Sequence, residues 1–511
     1  MQITARLGRE YITQIISFVV SLMDRIVIAG VLLRIWGIDD FAAWSIAASA
    51  AGFVTMFDMG VNLYFGNRLL FLIQQGKVGS AAIVLRAGNF WMGFASLTGL
   101  TVVMTVFWFF GPQLTVAFSN AVWLAALLLS VAAAIRMALS VHMSLYRAHA
   151  QYARQTMLFA ALDTVRILST IAVVFAGGGF LVVGGVQLVV TLGAAFWILF
   201  VDAPRRFTDY PFGLGQLPQE DRRQAFSISA GYWMQSGPAT ALTFLPVFLM
   251  TALGAGSLAI AQFVLMRTAA NFVRAGLQMF AIVLGQESAR RLAIDDRDGL
   301  QATYHDAAIF LGVQTACAAG VLLAIGRPLF TVWTAKGELY DPYLLWLAIL
   351  PPLVMPSTTL ALNVLATANL PWSIALGRTV QMVLTVILFL VLPIEGQALK
   401  IMTAVAIGEL LGFGLPTSLA AYRLIPGTGP AFHLRLLWRS ALCCGACFLV
   451  TGGAVLLVGG HDIAKLLVGL IAGGIAAAIA VVIAGISKLR RDAVFAALQN
   501  KARRWRASLG G

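Results

Sequence analysis

The sequence predicts an all-α polytopic integral membrane protein. About 14 transmembrane helices are expected, as two pseudo-symmetric six-helix lobes plus a C-terminal helix pair. Three observations carry this expectation. Of 511 residues, 60% are hydrophobic and 11% charged, against about 25% charged in a soluble domain. The apolar residues gather in runs of roughly 20, the length of a membrane-crossing helix. Lys and Arg concentrate in alternate inter-run segments, as the positive-inside rule requires. These features exclude a soluble enzyme, a secreted disulfide scaffold and a disordered chain.

The first six runs fall at about 11–33, 42–64, 88–110, 121–145, 156–177 and 179–200. The next six fall at about 228–252, 257–283, 307–330, 344–365, 372–393 and 399–420, and a final pair at about 439–459 and 464–487. Residues 1–201 are therefore an N-terminal lobe, 202–226 a cytoplasmic linker and 227–421 a C-terminal lobe. Residues 422–487 form the extra helix pair and 488–511 a basic cytoplasmic tail. The first run lacks an Ala-x-Ala-like exit and reads as an uncleaved signal anchor.

With the N-terminus inside, inner segments and tail hold 24 Lys and Arg and outer segments five. That split is expected of a chain with both termini in the cytoplasm and an even number of spans. The net charge of +14 then reflects topology and anionic lipid rather than nucleic acid. The tail interleaves basic residues with Val494, Phe495, Leu498 and Trp505. It is either an amphipathic helix on the inner leaflet or a basic end that only fixes topology. The outer loops are short, which leaves no platform for an enzyme that polymerises or ligates sugars outside the membrane. Asp295, Asp296 and Asp298 read as a solvated inner loop.

Cys317, Cys443, Cys444 and Cys447 all lie in apolar runs. The Cys-Cys-Gly-Ala-Cys cluster has no nearby His or carboxylate, so it reads as small residues for helix packing, not a metal site.

An internal repeat is expected at an offset near 216 residues. Gly111-Pro112-Gln113-Leu114-Thr115-Val116 resembles Gly326-Arg327-Pro328-Leu329-Phe330-Thr331-Val332, and Phe41-Ala42-Ala43 opens its run much as Leu258-Ala259-Ile260 does. Parallel six-helix repeats are typical of alternating-access transporters.

Polar residues inside the runs are costly and point to a cavity or a partner. Gln14, Ser17, Ser21 and Asp24 share one face of span 1, flanked by Arg25. Arg267, Asn271, Arg274 and Gln278 share one face of span 8. Asp58 and Asn62 lie one turn apart in span 2. Tyr232, Gln235, Ser236, Thr240 and Thr243 form a looser stripe in span 7. Asp163 and Arg166 are spaced to pair with each other, while Arg136, Arg378 and Glu409 are isolated on their spans. His142 reads as a hydrogen-bonded helix residue. In total six arginines face four carboxylates within the runs, an excess of +2. Such a bias favours an anionic substrate, and guanidinium groups suit phosphate oxygens. Pro351, Pro352 and Pro356 predict a kink or break in span 10.

Met56-Phe57-Asp58-Met59-Gly60-Val61-Asn62, followed by Gly66-Asn67-Arg68, resembles the end of the second span in the polysaccharide transporter family, which includes the Wzx-type O-antigen flippases. Tyr146-Arg147-Ala148 and Gly8-Arg9-Glu10-Tyr11 are similar to that family too. The family belongs to the MOP superfamily, with the MATE exporters and the lipid II flippases. The resemblance covers spans 1–12 and implies a flippase for polyprenyl-pyrophosphate-linked oligosaccharide. That substrate and membrane lipids are then the partners, with polysaccharide polymerase or chain-length proteins as candidate neighbours. Arg267 and Arg274 would hold the pyrophosphate with Arg25 assisting. Gln14, Ser21, Asn62, Asn271 and Gln278 would line the path and bond sugar hydroxyls. Asp24 or Asp58 would either couple a proton or Na+ or orient an arginine. No cofactor is implied beyond an ion gradient or the membrane potential. Family flippases usually show 12 spans and lipid II flippases 14, so the extra pair departs from the commoner plan. A MATE-like secondary exporter of small organic molecules is the alternative; an acidic cavity would signal it.

Overall fold

The computed structural model describes residues 2–110, 120–293, 295–367, 371–425 and 427–485. Among these the only regular secondary structure is helical. The helices are α1 (Gln2–Ile35), α2 (Ile38–Val54), α3 (Val61–Gln74), α4 (Val78–Phe110), α5 (Asn120–Ala138), α6 (Ser140–Ala148) and α7 (Tyr152–Phe175). There follow α8 (Phe180–Phe196), α9 (Ala203–Arg206), α10 (Gln219–Ala252), α11 (Ser257–Ala293), α12 (Arg297–Thr334), α13 (Pro342–Val354) and α14 (Ser357–Thr367). The last are α15 (Pro371–Val391), α16 (Gln397–Ile407), α17 (Leu415–Leu424), α18 (Pro430–Leu457) and α19 (Asp462–Ala480). Gly111–Val116 of the expected repeat and the tail 488–511 lie outside the described residues.

Eleven of the described helical stretches are long and apolar enough to cross a membrane, or twelve when α13 and α14 count as one bent span. The chain is thus a multi-pass membrane protein. Spans 7 and 8 of the sequence are α10 and α11, which are long but not among those eleven. Their apolar stretches are diluted by Gln235, Ser236 and Thr240 in α10 and by Arg267, Asn271 and Arg274 in α11. The break expected from the proline triplet is present: α13 and α14 meet at 54°. Gly177 adopts a positive φ of 81° between α7 and α8, which ends one span and starts the next.

Span 2 corrects the sequence reading. It is expected as one helix over 42–64, but α2 gives way at Thr55–Asp58 to a single 3-10 turn. Met59 and Gly60 are then left-handed (φ 48° and 71°) before α3 begins. Gly60 is required twice over, because a Cβ there would also strike the Ser229 carbonyl oxygen on α10. The Trp233 indole NH donates to the freed Met56 carbonyl at 3.0 Å, so a carbonyl released by the break regains a partner.

The chain divides into two compact units. The first comprises residues 1–265 and 393–401, the second 266–392 and 402–511. In the first unit α1 packs on α7, α5 on α8 and α2, and α10 on α2. A buried cluster around Phe65, Leu69, Leu85, Met92, Val141 and Tyr146 joins α3, α4 and α6. In the second unit α12 packs on α18 and α19. Glycines permit the fit: a Cβ on Gly320 would strike the Cys444 carbonyl, and one on Gly473 would press on Val321 at 2.7 Å. Small residues let backbones approach closely, which drives helix association in lipid. All four cysteines are free and buried at this joint, and no metal-binding cluster occurs among the described residues.

The turn from α11 to α12 is tightly tied. Arg291 donates to Asp296 at 2.9 Å, and Asp296 accepts from the Gly299 amide at 2.9 Å, the N-cap of α12. Leu277 and Ala281 of α11 share a buried cluster with Leu300, Tyr304 and Ala307 of α12 and Leu360 and Val364 of α14.

Candidate functional site

The excess positive charge within the helices is not shared between the units. The first holds Arg25, Arg136 and Arg166 against Asp24, Asp58 and Asp163; the second holds Arg267, Arg274 and Arg378 against Glu409 alone. The whole surplus of +2 therefore belongs to the second unit.

In the first unit four of the six charges pair with one another. Arg136 on α5 forks onto Asp163 of α7, with Nη1–Oδ1 at 2.6 Å and Nη2–Oδ2 at 3.0 Å. Arg166, one turn on from Asp163, donates to Asp24 on α1 at 2.7 Å and lies 3.5 Å from Asp163. Two carboxylates and two guanidinium groups thus staple α1, α5 and α7. Arg136 is not isolated, and it holds Asp163 more closely than Arg166 does. Arg25 is exposed and has no partner among the described residues. Ser21 is also exposed. Gln14 stands on α1, but its side chain lies outside the described residues. Asp58 accepts the Asn62 backbone NH at 3.0 Å and so caps α3. The Asn62 side-chain Oδ1 accepts weakly from the Ser144 hydroxyl at 3.5 Å.

In the second unit the arginines converge. Arg274 donates through Nη1 to Glu409 and through Nη2 to the Ala348 carbonyl of α13 at 3.0 Å. Arg378 on α15 lies over the Phe413 ring with its guanidinium carbon 3.5 Å from the centroid, and donates to Gln381 at 2.8 Å. Arg274, Arg378 and Arg267 all act electrostatically on Glu409. Glu409 and Phe413 both belong to a π-helical segment, Gly408–Gly414, inserted between α16 and α17. That segment can lie against α15 because its glycines have no side chains. A Cβ on Gly412 would sit 2.5 Å from the Gln381 Cα, and one on Gly408 would strike the Thr385 hydroxyl. Arg274 and Glu409 remain 29% and 19% exposed, which leaves the pair within reach of a solute. Asn271 is half-buried on α11 and Gln278 exposed on it.

The structure thus brings Arg267 and Arg274 together with two groups that had looked isolated, Arg378 and Glu409. A third cluster went unnoticed in the sequence. Asp202 accepts from the Tyr146 hydroxyl at 2.5 Å, from Arg154 Nε at 3.1 Å and from Arg206 at 3.3 Å. Phe207 packs on Tyr146 and His149. This knot ties α6 and α7 to the start of the linker. The repeated Arg in Arg205-Arg206 was the available signal, but it fits any positive inner loop.

No protein-family model matches the chain, and no curated protein sequence does. Solved structures do. A multidrug-resistance MATE-family transporter of the MOP superfamily, in an inward-facing conformation, aligns with a TM-score of 0.68 at 13% identity, covering 80% of this chain and 95% of that one. The lipid II flippase MurJ, in an inward closed conformation, aligns with a TM-score of 0.64 at 11% identity, covering 92% of this chain and 99% of that one. A MOP-superfamily transporter from Pyrococcus furiosus, described for the reversed polarity of its binding pocket, aligns with a TM-score of 0.55 at 12% identity, covering 83% and 96%. The chain shares the fold of these structures.

Proposed function

We propose that this protein is a flippase. It moves a polyprenyl-pyrophosphate-linked oligosaccharide, an O-antigen, exopolysaccharide or capsule repeat unit, from the cytoplasmic to the outer leaflet by alternating access. It acts as a transporter, not an enzyme, in a bacterial inner membrane with both termini cytoplasmic. Counting α10 and α11, it has fourteen spans: two six-helix lobes and a C-terminal pair.

The observation that carries this is the second unit's arginine cluster, three guanidinium groups against one carboxylate. A pyrophosphate supplies the missing negative charge and accepts forked N–H donors well. Arg267 and Arg274 hold it, with Arg378 as a third cation, while Asn271 and Gln278 on the same helix bond sugar hydroxyls. The inside-negative membrane potential assists outward movement of an anion, by about 2.3 kcal/mol per charge per 100 mV. Coupling a proton or Na+ through Asp24 or Asp58 requires first opening the Arg166 pair or the α3 cap.

A MATE-like exporter of small organic molecules is the second reading, favoured by the overlay on the MATE transporter. Against it stand the cationic bias of the cluster and the larger share of the chain that the MurJ overlay spans. The test is expression in a bacterium lacking its own Wzx-type flippase, beside the double variant Arg267→Ala/Arg274→Ala. Restored surface polysaccharide with the parent, lost in the well-expressed double variant, is expected. Restoration by both would remove the arginines from the mechanism. Drug resistance conferred by a chain that restores no polysaccharide would favour the exporter.

A further inference from the structure

One seven-residue segment touches two of the three arginines. Glu409 takes Arg274, and four residues later Phe413 lies under Arg378. In a π-helix hydrogen bonds span five residues, so these two side chains project from neighbouring positions on one side of the segment. Arg274 is held on both edges, by Glu409 and by the Ala348 carbonyl. An incoming anion cannot gain the full fork of Arg274 while Glu409 stays.

We propose that the Gly408–Gly414 segment is a clasp: Glu409 holds the phosphate position on Arg274, and a phosphate-bearing headgroup binds by displacing it, which frees Arg274 and Arg378 together. The proposal rests on the anion site argued above and adds how that site opens. A π segment is one residue out of register with the α-helices around it, and shifting the bulge past Glu409 turns that residue by about 100°. The surroundings can receive such a shift. Gly408, Gly412 and Gly414 present no side chains to α15 and α14. Four buried hydroxyls beside the segment, Thr358, Thr385, Thr417 and Ser418, have no hydrogen-bond partner among the described residues. Buried unsatisfied polar groups are costly, and a second register offers them partners.

The probe is inorganic pyrophosphate, titrated calorimetrically into the purified full-length protein in nanodiscs. Glu409→Gln keeps the shape and removes the competing charge, so it should bind about tenfold more tightly than the parent, the scale of one charge-assisted hydrogen bond. Glu409→Asp should stay near the parent, and Arg274→Ala should lose affinity at least tenfold. In the parent, pyrophosphate should raise amide exchange over 408–414, which a merely structural Glu409 would not produce. If Glu409→Gln does not fold, Phe413→Leu replaces it and should also tighten binding by freeing Arg378. Equal or weaker binding by the folded clasp variants overturns the clasp and leaves the anion site standing. No pyrophosphate binding by parent or variants overturns both.

Discussion

Asp163→Asn removes the charge from the first unit's staple and leaves its shape. In the parent Asp163 is forked by Arg136 at 2.6 and 3.0 Å and lies 3.5 Å from Arg166. The variant leaves Arg136 with no carboxylate, because Asp24 is engaged by Arg166 at 2.7 Å. Removing one member of a fully buried pair costs about 3–5 kcal/mol, whereas an exposed pair is worth under about 1 kcal/mol. Asp163 is 19% exposed but Arg136 is 40%, so a cost of about 2 kcal/mol is expected after discounting for screening. Arg136→Met should cost less, since Asp163 keeps Arg166 nearby. The double variant restores equal numbers of cations and anions and should cost clearly less than the two singles together, with a coupling of about 1 kcal/mol or more. The assay is chemical unfolding of the detergent-purified protein for parent, singles and double. Strict additivity would refute the staple.

Three further expectations concern other places. Gly412→Ala would put a methyl 2.5 Å from the Gln381 Cα, so backbone must part and about 1–3 kcal/mol should be lost; Gly474→Ala, inside α19 with open space around it, should hold or raise the melting temperature. Asp58→Ala should cost about 1 kcal/mol through the lost α3 cap, and Asp58→Asn, which can still accept the Asn62 NH, should recover most of it in the same thermal assay. Tyr146→Phe leaves Asp202 short of a donor at a cost of about 1–3 kcal/mol, and amide exchange over 203–217 should rise while that of α12 stays as in the parent.

Spans are legible in a single sequence because lipid imposes length and composition on each one separately. The break at Pro351, Pro352 and Pro356 was readable for a similar reason: its backbone limits are local. The break at Met59–Gly60 was not, since its cause is the Ser229 carbonyl and the Trp233 indole on another helix. Partners across space were equally hidden. Arg136 and Asp163 are 27 residues apart and Arg274 and Glu409 are 135 apart, and no helical periodicity links such positions. The charge surplus could be counted in advance, but its confinement to one unit follows from packing. The glycines of Gly408-Glu409-Leu410-Leu411-Gly412-Phe413-Gly414 hinted at close approach without specifying a π register.

The tied turn between α11 and α12 makes α11 a lever. At 37 residues and 1.5 Å per residue the helix is about 55 Å long, well beyond a hydrocarbon core of about 30 Å. Arg267 and Arg274 sit on its shaft, and Asp295, an exposed residue, stands at the tip some 30 Å farther along. Because Asp296 locks the turn at its end, rotation of the helix at the arginines is expected to reach the tip. A spin label at Asp295 therefore offers a remote gauge of the arginines' movement, set where no lipid or substrate needs to touch it.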